Sequence, residues 1–302
     1  MIYVILFKKE AHMARKRRIS KKCRSRRIAL LLSVLALLLV VAAVYRFFYL
    51  PLREARIAAE EAAQAGAQHH STDIPRNPYL HDGFSLVDGR VAYEDDIYFA
   101  LTGIDVSSHQ GEIDWAAVAA DGIDYAVIQA GYRGYEDGAL NEDIMFRTNL
   151  TQAQQQSIPC GVYFFSQAVS VGEAEEEAAY LLSLLGDAKL ELPVFYDWET
   201  VGVENGRANA VDGATVTACA KAFCAAVEAG GYEAGVYFNQ NQIYTEIELT
   251  QLLDYPLWMA QYQTEPDCIY AFTWWQYTDS GSVAGIETPV DLNVWFREKS
   301  TS

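Results

Sequence analysis

Asp197 and Glu199 sit at the end of Pro193-Val-Phe-Tyr-Asp-Trp-Glu-Thr200, a run whose other members suit a buried strand. Acids are seldom placed in such a run unless they are paired or used. Side chains alternate along an extended strand, so at about 3.3 Å per residue the two carboxyls share one face about 6.6 Å apart, while Tyr196 and Trp198 take the other. Two carboxyls at that range suit acid-assisted cleavage of a glycosidic bond.

Such a pair needs a scaffold that brings further groups over it. From residue 97, short β-rich runs at 97–106, 125–130, 160–166, 192–199, 234–238, 257–262, 272–277 and 290–294 alternate with helical patterns at 114–120, 143–156, 172–185 and 214–229. Gly186 and Gly230 are the expected stops of the last two helices. Eight strands alternating with helices over about 200 residues predict an α/β fold, a (β/α) barrel of about eight strands. The connections at 265–271 and 280–289 are too short or too Gly-rich for full helices, so the barrel is expected to be irregular in its last third. Asp105, Asp197 with Glu199, Gln276 and Asp291 all fall at or near the ends of their runs. In such barrels the C-terminal face carries the active site.

Four segments stand out together: Thr102-Gly-Ile-Asp-Val-Ser-Ser-His-Gln-Gly111 followed by Ile113-Asp-Trp115, then Gly161-Val-Tyr-Phe-Phe165, then Phe195-Tyr-Asp-Trp-Glu199, and finally Trp275-Gln-Tyr277 leading to Gly285-Ile and Val290-Asp-Leu-Asn293. Their order and spacing closely resemble the glycoside hydrolase family 25 lysozymes, over about residues 101–296. The resemblance implies an irregular (β/α) barrel that hydrolyses the β-1,4 bond between N-acetylmuramic acid and N-acetylglucosamine in peptidoglycan, without cofactor or metal. Motif by motif, it assigns Glu199 as proton donor, Asp197 as the neighbouring carboxylate, Asp105 as the acid ending the first strand and Asp291 as the acid of the last strand. Phe164 stands where many members carry His, and Tyr196 and Trp198 are bulkier than usual, departures that bear on sugar-binding subsites rather than on chemistry.

The residues themselves support the same roles. Like charge from Asp197 and aromatic walls such as Tyr163 and Trp258 are expected to keep Glu199 protonated near neutral pH, with Asp197 ionised to stabilise developing positive charge. With 2-acetamido sugars the substrate's own amide can act as nucleophile, oriented by a carboxylate two residues from the acid. Tyr163, Tyr237, Trp258 and Gln276 are the expected substrate-binding residues; Tyr132, Trp275 and Tyr277 could also stack on sugars, although each suits a core equally well. His109 is expected to be a hydrogen-bonded structural residue, Asp114 a helix cap, and the acidic run 173–177 a helix N-terminus with a solvated face.

The net charge of −17 hides two opposite halves. Residues 8–27 contain eleven Lys and Arg, whereas residues 71–302 carry nine basic and thirty-six acidic residues, a net of −27. An acidic body argues against a nucleic-acid partner, which needs a cationic surface. Residues 28–45 carry no charge and are followed by Arg46 and the aromatic patch 47–50, so 28–50 is expected to be a transmembrane anchor. The basic residues before it place the N-terminus in the cytoplasm and the body outside. A cleaved signal peptide would show a small-x-small site, whereas here bulky aromatics follow. The sequence from Met13 has the pattern of a start of its own.

The expected organisation is thus a basic cytoplasmic segment (1–27), an anchor into the cell membrane (28–50), a helical stalk and linker (51–96) and a catalytic barrel (97–302). Of five cysteines, Cys219 and Cys224 fall on an apolar helical stripe and read as buried small hydrophobes; Cys160 and Cys268 lie in separate strand regions, and no bridge between them can be deduced. The expected activity is that of a membrane-anchored lysozyme. A wall-glycan-binding scaffold without turnover, or a hydrolase of chitin-like polymers, shares the same acids and is separated by substrate tests.

Overall fold

A computed structural model describes residues 74–300 and, before them, Arg46 alone. The chain divides into two units, Met1–Ala65 and Gly66–Ser302. The expected basic segment, the anchor at 28–50 and the stalk up to residue 73 lie outside the described residues, Arg46 excepted. Among the described residues no helix is long and apolar enough to cross a membrane.

The part of the expected linker that is described is folded. Strands β1 (Phe84–Val87) and β2 (Arg90–Tyr93) form an antiparallel hairpin. Its turn is Asp88-Gly89, both at positive φ (51° and 82°), the mirror-image turn whose twist matches that of the strands. Val91 and Tyr93 are buried, and Tyr79 stacks on Phe296 at 3.7 Å. The folded body therefore begins ahead of residue 97: apolar residues at alternate hairpin positions find a place to be buried, which a linker would not offer them.

Eight strands close a barrel: β3 (Tyr98–Val106), β4 (Tyr125–Arg133), β6 (Cys160–Ser166), β7 (Val194–Trp198), β8 (Ala234–Asn239), β9 (Leu257–Ala260), β10 (Trp274–Gly281) and β11 (Val290–Glu298), with β5 (Leu140–Glu142) added at the end of β4. All eight expected strands are present. From β3 through β10 barrel neighbours run parallel, whereas β11 is antiparallel to both β10 and β3, so the irregularity lies in the last third. Helices α1 (Trp115–Ala120), α2 (Phe146–Gln155), α3 (Val171–Leu185), α4 (Gly213–Ala229) and α5 (Gln240–Thr245) lie between strands, and none separates β9, β10 and β11.

The helix signals operate largely as the sequence suggests. Asp114 accepts from the backbone N–H groups of Ala116 and Ala117, both at 3.1 Å, and caps α1. Gly186 closes α3 at φ 55°, but at the end of α4 the left-handed position is Gly231 (φ 91°) rather than Gly230. The α4 stripe Val216, Cys219, Ala220, Phe223, Cys224 and Val227 is buried, and Cys160, Cys219, Cys224 and Cys268 are all free thiols. The solvated face expected for 173–177 is corrected: Glu177 is fully buried, with Arg133 Nε donating to its carboxylate at 2.7 Å. The strand β4 delivers that arginine under the helix, a meeting no helical periodicity could show.

Apolar side chains form two layers. One lies between sheet and helices and includes Phe164, Tyr196, Trp198 and Trp275. The other fills the barrel with Tyr125, Phe195, Trp258 and Trp274. Gly103 makes room for it, since a Cβ there would stand 2.2 Å from the Tyr125 ring. Alternation therefore sends Phe195 and Asp197 inward and Tyr196 and Trp198 outward. Phe164, Tyr196 and Trp198, the expected departures, thus face the helices rather than the barrel interior.

Candidate active site

Above the aromatic floor the barrel opens into a cavity of ≈ 470 Å³ lined by Asp105, Asp197, Glu199 and Asp291 together with Tyr163, Tyr237, Trp258 and Gln276. All eight side chains singled out from the sequence thus converge. Asp105 and Asp197 reach the mouth at the C-terminal ends of parallel strands, and Glu199 follows β7 by one residue. Asp291 stands near the start of its strand, yet β11 runs the other way and pairs it directly with Asp105. A larger groove of ≈ 1130 Å³ lies between the hairpin and the end of β10; it meets the cavity at Tyr262 but contains no comparable grouping of carboxyls.

Asp105 is the best-solvated anion of the site, although 4% exposed, because two amides replace water around it. Asn293 Nδ2 donates to its Oδ2 at 2.7 Å and Gln276 Nε2 at 2.9 Å. Both amides are themselves fixed: the Trp258 indole N–H donates to Asn293 Oδ1 at 2.9 Å, and the Tyr237 and Tyr262 hydroxyls donate to Gln276 Oε1 at 2.9 and 3.2 Å. Burial raises the Asp105 pKa, opposed by those two amides and by Asp291. Asp291 is pushed up to about 9, first by burial and then by the negative charge of Asp105, with which it shares a hydrogen bond. The proton of that pair rests on Asp291 and the charge on Asp105.

The second pair is proton-rich too. Burial raises Glu199, with the charge of Asp105 adding to it and the nearby Tyr237 hydroxyl pulling the other way. Asp197 is raised well above the ordinary range by burial and then by Glu199, Asp105 and Asp291. Its Oδ1 is buried without a hydrogen-bond partner. The expectation that Asp197 stays ionised is therefore corrected for the free cleft: the donors that could hold a second anion are spent on Asp105. The arrangement combines one anchored anion with carboxyls whose burial favours their protonated form, the direction general acid catalysis requires.

Sequence reasoning missed part of the lining. Gln129, Arg133, Tyr135, Phe165 and Tyr262 also face the cavity; so do His109 and Tyr132, the latter already named as able to stack on sugars. His109, expected to be a hydrogen-bonded structural residue, is exposed at the rim, where its backbone N–H donates to Ser107 Oγ at 3.2 Å. Phe165 lies near the end of β6, so the strand-end rule that selected Asp105 would have found it. Trp275 and Tyr277 point outward into the layer between sheet and helices. Among the described residues no cluster of His, Cys, Asp and Glu has the arrangement to hold a metal ion.

Known proteins share this architecture. The family model described as Glycosyl hydrolases family 25 matches residues 104–286. The uncharacterized protein YegX of Escherichia coli strain K12 is 28% identical over 230 residues, 75% of this chain and 80% of that protein. An autolytic lysozyme of Clostridium acetobutylicum is 26% identical over 195 residues, 64% of this chain and 55% of the lysozyme. The modular autolysin LytC from Streptococcus pneumoniae, solved in complex with a synthetic peptidoglycan ligand, matches with a TM-score of 0.60 at 25% identity, over 70% of this chain and 52% of the autolysin. The chain thus spans about half the length of the lysozyme and of the autolysin.

Proposed function

Since the chain belongs to glycosyl hydrolases family 25 and is a glycoside hydrolase, we propose that it cleaves peptidoglycan between N-acetylmuramic acid and N-acetylglucosamine, with Glu199 as general acid. The observation that carries this reading is Asp197 Oδ1, a buried acceptor with no partner two residues from Glu199, whose carboxyl burial pushes toward its protonated form. The N–H of a substrate 2-acetamido group is the donor this oxygen lacks. Held there, the acetamido oxygen attacks the anomeric carbon as Glu199 protonates the departing glycosidic oxygen. Positive charge then develops on the acetamido group, and Asp197 Oδ1, which accepts its N–H, stabilises it. Water, deprotonated by the Glu199 carboxylate, opens the cyclic intermediate and returns the original anomeric configuration. Asp105 and Asp291 hold the electrostatics of the cleft, and Tyr163, Tyr237, Trp258 and Gln276 contact the sugars.

The purified protein should release fragments with reducing N-acetylmuramic acid ends, whose first-formed anomer is β by NMR. Reducing N-acetylglucosamine ends would overturn the bond assignment, an inverted anomer would overturn the acetamido step, and glycan binding without product would favour a scaffold. The same reading locates the enzyme at the membrane surface. The uncharged run 28–45 behind a basic segment supports an anchor at 28–50 with the cleft outside. Protease digestion of intact cells should then remove residues 74–302 and spare the N-terminus.

A further inference from the structure

Glu199 lies one residue beyond the end of β7, where no strand ladder fixes its backbone. Two buried side-chain amides do so instead. Gln167, fully buried after β6, donates from Nε2 to the Glu199 carbonyl at 2.7 Å and to the Ser166 carbonyl at 3.1 Å. Gln242, 2% exposed in α5, donates from Nε2 to the Trp198 carbonyl at 3.1 Å, while its Oε1 accepts from the Asn239 N–H at 2.9 Å. The peptide that carries the acid is thus held at the carbonyls of both Trp198 and Glu199, by side chains from the segment after β6 and from α5.

The Gln167 side of this bracket is braced from outside the cavity. Arg207 Nη1 donates to the Gln167 carbonyl at 2.8 Å and to Glu173 Oε2 at 2.7 Å, and its Nη2 donates to Glu173 Oε1 at 2.7 Å. Glu173 Oε2 also accepts from the Val169 N–H at 3.0 Å, and the Arg207 N–H donates to the Tyr135 carbonyl at 3.0 Å. A fork-to-fork ion pair between an arginine and a carboxylate fixes orientation as well as distance. It ties the loop after β6 to the start of α3 and to the loop after β4.

We propose that Gln167 and Gln242 are positioning residues for the proton donor, and that the Arg207–Glu173 pair holds Gln167 in place to do this. The proposal rests on the reading of Glu199 as general acid. Loss of the bracket lets the Glu199 carboxyl swing toward water, which makes it easier to ionise and misdirects its proton.

The test uses Gln167→Met and Gln242→Met, which keep volume and remove the donors, together with Arg207→Met and Arg207→Lys at the partly exposed brace in case the buried variants do not fold. On peptidoglycan, kcat should fall about 10- to 100-fold with KM little changed, and the alkaline limb of the kcat profile should move to lower pH. The Glu199 carboxyl resonance, assigned by its loss in Glu199→Gln and titrated by carbon-13 NMR, should show a lower midpoint in each Met variant and recover part of the way in Arg207→Lys. A fall in thermal stability with an unmoved carboxyl midpoint would overturn the proposal. If Glu199→Gln keeps full turnover the general-acid reading fails instead, and the NMR midpoint still decides whether the bracket exists.

Discussion

The lower and upper halves of the barrel interior are built from the same strands, two residues apart, and have opposite chemistry. Phe195 lies below Asp197 and Trp274 below Gln276; along antiparallel β11 the order Trp295, Asn293, Asp291 climbs the same wall. Below, Trp274 stacks on Trp295 at 4.6 Å and meets Phe195 and Tyr125 edge-on at 5.4 and 4.8 Å. Such pairs contribute about 0.5–1.5 kcal/mol beyond the area they bury. Above, four carboxyls are held where burial disfavours their charge. The floor excludes water from beneath the acids, which favours their protonated forms and leaves Asp105, held by two amides, to carry the charge. Stability in one half offsets the cost of poising the other.

The largest effect that divides the halves should come from Glu199→Gln, which removes the transferable proton without changing shape. Turnover on peptidoglycan should fall about 10²- to 10⁴-fold, while the thermal midpoint stays level or rises because a buried carboxyl is gone. A variant that lost stability instead would assign Glu199 to the scaffold. Trp274→Ala should do the reverse, costing about 3–5 kcal/mol in urea unfolding, with far less effect on turnover per folded molecule.

The pH dependence of stability separates the halves next. Asp291 has a folded pKa near 9 against 3.8 ordinarily, so between these values the folded state binds more protons than the unfolded one. Its contribution is complete below pH 4 and is lost as pH rises through 9. Denaturant titrations at pH 5, 7 and 9 should show stability falling across that window, and Asp291→Asn should flatten the fall. A wild-type curve that rose from pH 5 to 9 would contradict the protonated carboxyl. The smallest effect is expected from Tyr262→Phe, which removes the longer of two hydroxyl donors to Gln276 while Tyr237 remains. The loss should be about 0.5–1.5 kcal/mol in transition-state stabilisation, and Tyr237→Phe should exceed it.

Much of this was legible beforehand where the governing geometry is local. Strand alternation placed Asp197 and Glu199 on one face, apolar runs marked all eight strands, and Asp114 announced its cap. The hairpin at 84–93 was missed because its short alternating runs sit beside a proline-rich stretch, although Asp88-Gly89 is a strong turn signal. Glu177 was misread because a helix alone gives no reason to bury an acid; the reason, Arg133, arrives on β4. His109 was misplaced for want of any neighbour to judge it by.

The sequence by itself determined which faces the carboxyls occupy and that the chain would close into a barrel, since side-chain period and hydrophobic pattern are properties of neighbouring residues. Only the tertiary structure decided that Asp291, at the start of a reversed strand, stands beside Asp105, and that Asn293 and Gln276 give their donors to Asp105 and leave Asp197 with none. Where the protons rest depends on burial and on donors contributed by strands distant in sequence, and those quantities come into being only when the barrel closes.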